Sequence, residues 1–297
     1  MGSDRFVCGR TVPSASPTPP EGARVRLPSL LRFLKLRLAG PVVRAGEALR
    51  RMAALPYADL DAVIGGGTAL VVAPHPDDES LGCGGLIAEA CARGRPPVVA
   101  VLTDGTMSHP SSPSHPAPKL KARREAETRA AVAALGLPPD RLHFLGFPDS
   151  QAPQEGPGFA AAAERLAELA RSHRADSILA TWEHDPHRDH VAAHAIAREA
   201  ARLTGARLVS YPVWGWTLPA DRPLPDRGLL GARLDVARHL PAKRRAIAAH
   251  ASQLPGGITD DPNGFHLGPD MLALHDRAFE VFLFPPEPPP AARGGAA

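Results

Sequence analysis

The chain has 297 residues, 44% of them hydrophobic, 22% charged and only 5% aromatic; this is the composition of a globular protein with a core of Ala, Leu and Val, long enough for one large α/β domain or two small ones. The formal net charge is +3, with the excess of Arg and Lys in the first 51 residues and no aromatic-rich basic stripe, which argues against a nucleic-acid-binding protein. No apolar run approaches the ~20 residues of a membrane-spanning helix.

Residues 1–27 are rich in Pro, Ser and Gly and are expected to be disordered. Residues 28–56 read as a basic amphipathic helical extension. Leu30, Leu31, Leu34 and Leu38 share one helical face, Arg32, Lys35, Arg37, Arg44, Arg50 and Arg51 decorate the rest, and Pro41 kinks or divides the segment. One reading is a helix lying on an anionic membrane surface, a peripheral contact through residues 28–55. The plainer reading is a helix packed on the domain or on a partner. Arg32, Lys35 and Arg37 interrupt the only candidate core of a signal peptide, so none is expected.

From residue 66 strands and helices alternate. Ala69–Pro74 is an apolar run that reads as a buried strand, followed by a helix over Leu81–Arg93 and a second strand over Pro97–Thr103. A long helix covers Lys119–Leu135 and stops at Gly136. Leu142–Phe147 is a strand, Phe159–Ser172 a helix, Ser177–Trp182 a strand, Asp189–Leu203 a helix ended by Gly205, and Leu208–Val213 a fifth strand. This rhythm predicts a Rossmann-like three-layer α/β/α sandwich with a mostly parallel sheet. Ligands in such folds bind beyond the carboxyl ends of the strands. Residues 286–297 read as a frayed tail.

Two polar clusters stand at such strand ends. The first is Pro74-His75-Pro76-Asp77-Asp78-Glu79-Ser80. Three acids crowded at the end of a buried strand are costly unless something positive neutralises them, and a divalent cation does so. The second is Glu183-His184-Asp185-Pro186-His187-Arg188-Asp189-His190. One histidine from it completes a His-Asp-His set with a fourth position open to water, the arrangement of a catalytic zinc site. One of the two adjacent aspartates of the first cluster then faces the metal and the other is free to act as a base. A single Asp-Asp-Glu run before a helix is explained by helix capping and dipole compensation alone; two clusters at two strand ends are not.

With these two clusters the chain resembles the PIG-L/LmbE-like zinc-dependent N-deacetylases. Their first signature reads Ala-His-Pro-Asp-Asp-Glu, with Pro74 here in place of Ala; their second reads His-Pro-Asp-His, with Arg188 here in place of Pro. Supporting features are Arg124-Glu125-Ala126-Glu127 leading to Leu135-Gly136, Phe147-Pro148-Asp149, and Lys243 ahead of His250-Ala251-Ser252-Gln253. The resemblance spans roughly residues 66–285 and delimits a deacetylase domain over 57–285. It implies zinc held by His75, Asp78 and His190, Asp77 as general base, His187 polarising the carbonyl or donating to the oxyanion, and Asp189 orienting the His187 ring. It places Arg124 and Asp149 in contact with substrate. The reaction it implies is removal of an N-acyl group, acetyl first, from an amino sugar or glycoconjugate.

Other readings are weaker. A thiol-conjugate amidase of the same family is the alternative within enzymes, and a glycan-binding module with a structural metal the alternative outside them; Asp77 and His187 argue against the second, which needs neither. Gly82, Gly84 and Gly85 do not follow the strand directly as a dinucleotide fingerprint requires, and are expected to serve helix–sheet packing. His109 and His115, in a Pro/Ser-rich segment over 104–118, are expected in solvent. Cys8, Cys83 and Cys91 are odd in number and form no Cys-x-x-Cys, which suits a reduced, cytoplasmic compartment.

Overall fold

A computed structural model describes residues 41–226 and 228–285. The expectations for residues 1–27, 28–40 and 286–297 lie outside the described residues. In chain order the elements are β1 (Val42–Arg44), α1 (Ala45–Ala53), β2 (Tyr57–Ala58), α2 (Leu60–Ile64), β3 (Thr68–Ala73), α3 (Asp78–Ala92), β4 (Val98–Thr103), α4 (Ala117–Ala134), β5 (Leu142–Phe147), α5 (Gly156–Ser172), β6 (Ala175–Thr181), α6 (Arg188–Thr204), β7 (Arg207–Tyr211), β8 (Pro223–Pro225), β9 (Leu230–Asp235), α7 (Leu240–Ala249), α8 (Pro269–His275) and β10 (Phe279–Phe284).

The central strands are apolar on both faces, as a parallel sheet covered on both sides demands. In β3, Ala69, Val71 and Ala73 enter one core, while Leu70 and Val72 enter the other. β4 divides the same way, with Val99 and Val101 on one face and Val98, Ala100 and Leu102 on the other. This period of two places α3, α4 and α7 on one side of the sheet and α5 and α6 on the other, giving the three layers expected from the sequence.

The sheet has the order β2-β9-β10-β7-β6-β3-β4-β5. Within it only β10 runs against the other strands. From β3 the chain moves outward through β4 to β5, then returns to lay β6 on the other side of β3 and continues to β7. The winding therefore reverses between β3 and β6. The loops that leave these two strands part from each other and open a crevice at their carboxyl ends. Both polar clusters occupy those loops.

The Gly-rich stretch of α3 is a packing device. A β-carbon on Gly82 would lie 2.3 Å from the Tyr211 ring, and one on Gly85 2.5 Å from Val236. Gly136 and Gly205, expected to stop two helices, do so with φ of +84° and +74°.

Residue 56 is not a structural boundary. β1 pairs antiparallel with β8, and Ala45, Ala48 and Met52 of α1 are buried with Trp182, Leu218 and Leu283. In the described part of the expected extension, residues 41–56, a strand precedes the helix after Pro41, and the apolar face of that helix is covered by the domain itself. No described helix is long and apolar enough to cross a membrane. Beyond the expected elements the structure adds β2, α2 and everything from β8 onward, of which β2, β9 and β10 extend the sheet past β7.

Candidate active site

Asp78 opens α3, and Asp189 and His190 stand in the first turn of α6. Acids suit these places because a helix N-terminus carries partial positive charge and unpaired N–H groups. The reversal between β3 and β6 sets the two helix ends side by side, although His75 and His190 are far apart in sequence.

Nδ1 of His75 lies 3.3 Å from Oδ2 of Asp78, and Nε2 of His190 lies 3.2 Å from the same oxygen. Ligands bound at about 2.1 Å in a tetrahedron stand about 3.4 Å apart, so the spacing of each imidazole nitrogen from this oxygen suits donors to a shared ion. Nε2 of His190 is buried and makes no hydrogen bond. Its other nitrogen, Nδ1, faces Oδ2 of Asp185 at 2.9 Å. A neutral His190 that donates through Nδ1 turns a bare lone pair from Nε2 toward a carboxylate, an arrangement that calls for a positive charge between them. Burial works to lower the His190 pKa, but the Asp78 and Asp185 carboxylates outweigh it and push the ring up to about 9. The converse holds for Asp78, where burial is overcome by His190 and His75 and the carboxyl is held far below its usual range. The residues present fit a divalent cation.

Each imidazole has a carboxylate behind it. Asp185 is fully buried and accepts from the backbone N–H groups of Val213, Trp214 and Gly215 as well as facing His190. Nε2 of His75 lies 3.3 Å from Asp189 Oδ2 and 3.3 Å from Asp149 Oδ1. Asp189 also accepts from the N–H groups of Ser150 and Ala152, and Asp149 from that of Met107. Donor atoms thus converge twice, once among His75, His187 and His190 and once among His75, Asp149 and Asp189.

Asp189 is not where the sequence reading put it. Its carboxylate turns to His75, and it is the Asp189 backbone N–H that donates to Nδ1 of His187, at 3.2 Å. That bond caps α6 and leaves the ring proton of a neutral His187 on Nε2. Burial, assisted by the charges of His75 and His190, lowers the His187 pKa and favours this neutral form. The ring stands edge-on to His75 with centroids 4.6 Å apart.

Asp77 is the N-cap of α3 with φ of +138°, and its side chain makes no capping bond. A residue with a β-carbon pays about 1–3 kcal/mol for such a conformation. Burial, reinforced by the neighbouring Asp78 charge and opposed by Arg124, pushes its carboxyl up to about 6. Arg124 is only 3% exposed, and its guanidinium donates to the carbonyls of Gly105 and Pro76 and, at 3.2 Å, to Oδ2 of Asp77. It lines the cavity, but its donors grip the protein. Arg124 and Asp149, the two residues expected to contact substrate, both line the cavity and both also bind neighbours of the site, because each would otherwise be a buried charge without a partner.

The cavity over these groups measures about 450 Å³. Its lining is polar at His75, Asp77, Arg124, Asp149 and His187 and apolar at Met107, Pro186, Trp214 and Phe265. Met107 and Ser108 bring the segment 104–118 to the rim. His109 is buried, not solvated, because its ring packs on Gly264 and stands 5.0 Å from that of His266. Asp185, Glu79 and His250 were not assigned roles from sequence. Asp185 stands five residues before His190 in the second cluster, but the backbone donors that fix it lie 28 to 30 residues away, and Glu79 and His250 meet across 171 residues, which no local spacing signals.

Fold and site together define an α/β enzyme whose chemistry sits at imidazoles and carboxylates gathered in a strand-end crevice. The family model of PIG-L, GlcNAc-PI de-N-acetylase, matches residues 70–201. A 1D-myo-inositol 2-acetamido-2-deoxy-alpha-D-glucopyranoside deacetylase of Actinosynnema mirum is 32% identical over 62% of this chain and 80% of its own length. A 2'-N-acetylparomamine deacetylase of Streptomyces fradiae is 32% identical over 66% of this chain and 75% of its own. The solved N,N'-diacetylchitobiose deacetylase of Pyrococcus horikoshii shares the fold with a TM-score of 0.54, at 21% identity, over 73% of this chain and 84% of that one. The chain belongs to the PIG-L family. It is an amide hydrolase of the N-deacetylase class.

Proposed function

We propose that the chain hydrolyses the N-acetyl amide of a 2-acetamido sugar joined to a second polar ring, with zinc held by His75, Asp78 and His190. The substrate class follows two of the relatives at 32% identity, whose names specify an acetamido-glucopyranosyl inositol and an acetylated paromamine. The observation that carries the metal assignment is the unsatisfied, buried Nε2 of His190 facing the Asp78 oxygen that also meets His75. His75 uses Nδ1 for the ion, because its Nε2 faces Asp149 and Asp189, carboxylates already fixed by backbone donors. Such backing carboxylates set the tautomer and basicity of ligating histidines.

A divalent ion bound there supplies Lewis acidity, easing the deprotonation of water and the build-up of negative charge on the amide oxygen. Asp77, beside the ligands and on the cavity wall, takes the proton of the attacking water. His187 presents Nε2–H to the oxygen of the tetrahedral intermediate. Arg124 holds Asp77 from beneath. The departing amine receives the proton that Asp77 accepted, so acid and base work is done by one carboxyl.

The test is acetate release from a panel of N-acetylglucosaminyl and acetylated aminoglycoside compounds, with and without chelator. The wild type is expected to release acetate and to lose that activity with its metal. Asp77→Asn is expected to keep the metal and lose turnover; turnover at the wild-type rate in Asp77→Asn rejects the assignment of the base.

A further inference from the structure

Asp77 is the N-cap of α3 and its backbone carbonyl accepts from the Ser80 and Leu81 N–H groups, yet its side chain makes no capping bond. An aspartate there ordinarily adopts an extended backbone and folds its carboxylate back onto the N–H of the second or third helical residue. Here the positive φ turns the carboxylate away from α3 and into the cavity. A strained residue persists only where its surroundings over-determine it.

The backbone N–H of Asp77 donates to Oε2 of Glu79 at 3.0 Å. The other oxygen, Oε1, accepts from Ser80 Oγ at 2.7 Å and from Nε2 of His250 at 2.9 Å. Glu79 is wholly buried, and so is His250, which closes the end of α7. Neither lines the cavity. The two carboxylate oxygens therefore have separate tasks: His250 and Ser80 fix Oε1, and this aims Oε2 at the peptide N–H of Asp77. The carbonyl on the far side of that peptide bond, Pro76 O, is held by Arg124. The peptide entering Asp77 is gripped at both ends.

The geometry points to Glu79 and His250 as positioning residues for the reaction, a buried brace that keeps Asp77 in its left-handed conformation and denies its carboxylate to the helix. Released from the brace, Asp77 relaxes to an extended φ, and its carboxylate takes over the Ser80 N–H that its own backbone carbonyl holds in this structure. The base is then lost from the cavity while the three donors His75, Asp78 and His190 remain. This inference rests on the assignment of Asp77 as base.

Glu79→Gln tests it without changing size: one acceptor oxygen then faces donors from Asp77, Ser80 and His250. We expect kcat to fall about 100-fold or more, toward the ~10²- to 10⁴-fold that a positioned general base contributes, with KM within about twofold of wild type and bound metal unchanged. His250→Ala is expected to show the same split, and His250→Gln, which restores an N–H donor to Glu79, to recover most of the loss. A crystal structure of Glu79→Gln is expected to show Asp77 at negative φ with its carboxylate on Ser80 N. Wild-type kcat in both Glu79→Gln and His250→Ala, or a positive Asp77 φ retained in the Glu79→Gln crystal, overturns the brace. A kcat loss matched by loss of metal overturns it too. If the wild type releases no acetate from any compound, the functional reading fails, and the Asp77 φ in the variant still decides the brace.

Discussion

Nε2 of His190 lies 3.2 Å from Oδ2 of Asp78, both atoms are buried, and no hydrogen bond joins them. A positive charge belongs between the two, a proton on the ring when the site is empty or a bound cation in its place. Metal analysis of purified protein is expected to give about one divalent ion per chain in the wild type, as a three-donor site implies, and close to none in His190→Ala. Retention of wild-type metal content by His190→Ala would remove this residue from the ligand set.

Asp185 stands behind His190 and is fixed by three backbone N–H groups from residues 213–215. Replacing it with Asn keeps an oxygen for some of those donors but takes the charge from the ring. Loss of such a partner weakens metal binding by about 10- to 100-fold. Competition with a chromogenic chelator reads this directly. Equal affinity in Asp185→Asn and wild type would show that the carboxylate serves only the loop after β7.

The layers, the parallel central strands and the crevice were legible because their signals are local: apolar runs for β3 and β4, glycines ending α4 and α6, and polar clusters directly after strands. The two clusters carried the proposed metal donors for the same reason. What was not legible depends on distant partners. Asp189 reads as a neighbour of His187 because they are two residues apart, yet the helical turn sends its carboxylate to His75 and leaves only its N–H with His187. Arg124 reads as a substrate contact or a surface ion-pair partner, and its hold on the carbonyls of Gly105 and Pro76 shows only in the folded chain. The helix at residues 45–53 reads as part of an extension because its apolar face finds Trp182 and Leu283 only in the folded chain.

Glycines in the middle of a helix ordinarily cost about 1 kcal/mol each relative to alanine, so Gly85→Ala would stabilise α3 on helix propensity alone. The structure reverses that sign. The new methyl would stand 2.5 Å from both Cβ and Cγ1 of Val236, inside a closed core. Overpacking of this kind costs about 1–3 kcal/mol. Urea unfolding of Gly85→Ala is expected to show a lower midpoint than wild type. A raised midpoint would mean that α7 and the strand before it yield more readily than their packing indicates.

Glu89, near the end of α3, gives a pH-dependent test of stability away from the site. Its carboxylate is 3% exposed and accepts from Arg93 Nε at 2.6 Å, from His239 Nε2 at 2.6 Å and from Arg238 Nε at 3.0 Å. Burial alone would raise its pKa, but bonds from Arg238, His239 and Arg93 overcome this and hold it at about 2, against 4.5 for a free glutamate. A carboxyl whose folded pKa is depressed adds stability above the unfolded pKa and surrenders it as the pH falls toward the folded one. The difference in Tm between wild type and Glu89→Gln is therefore expected to be positive and level at pH 5, to shrink below about 4.5, and to close near 2. Added salt is expected to narrow the gap at pH 5, because the Arg93 and Arg238 side chains remain half in solvent. A gap that stays constant between pH 5 and pH 2.5 would show that Glu89 contributes through packing and neutral hydrogen bonds and not through its charge.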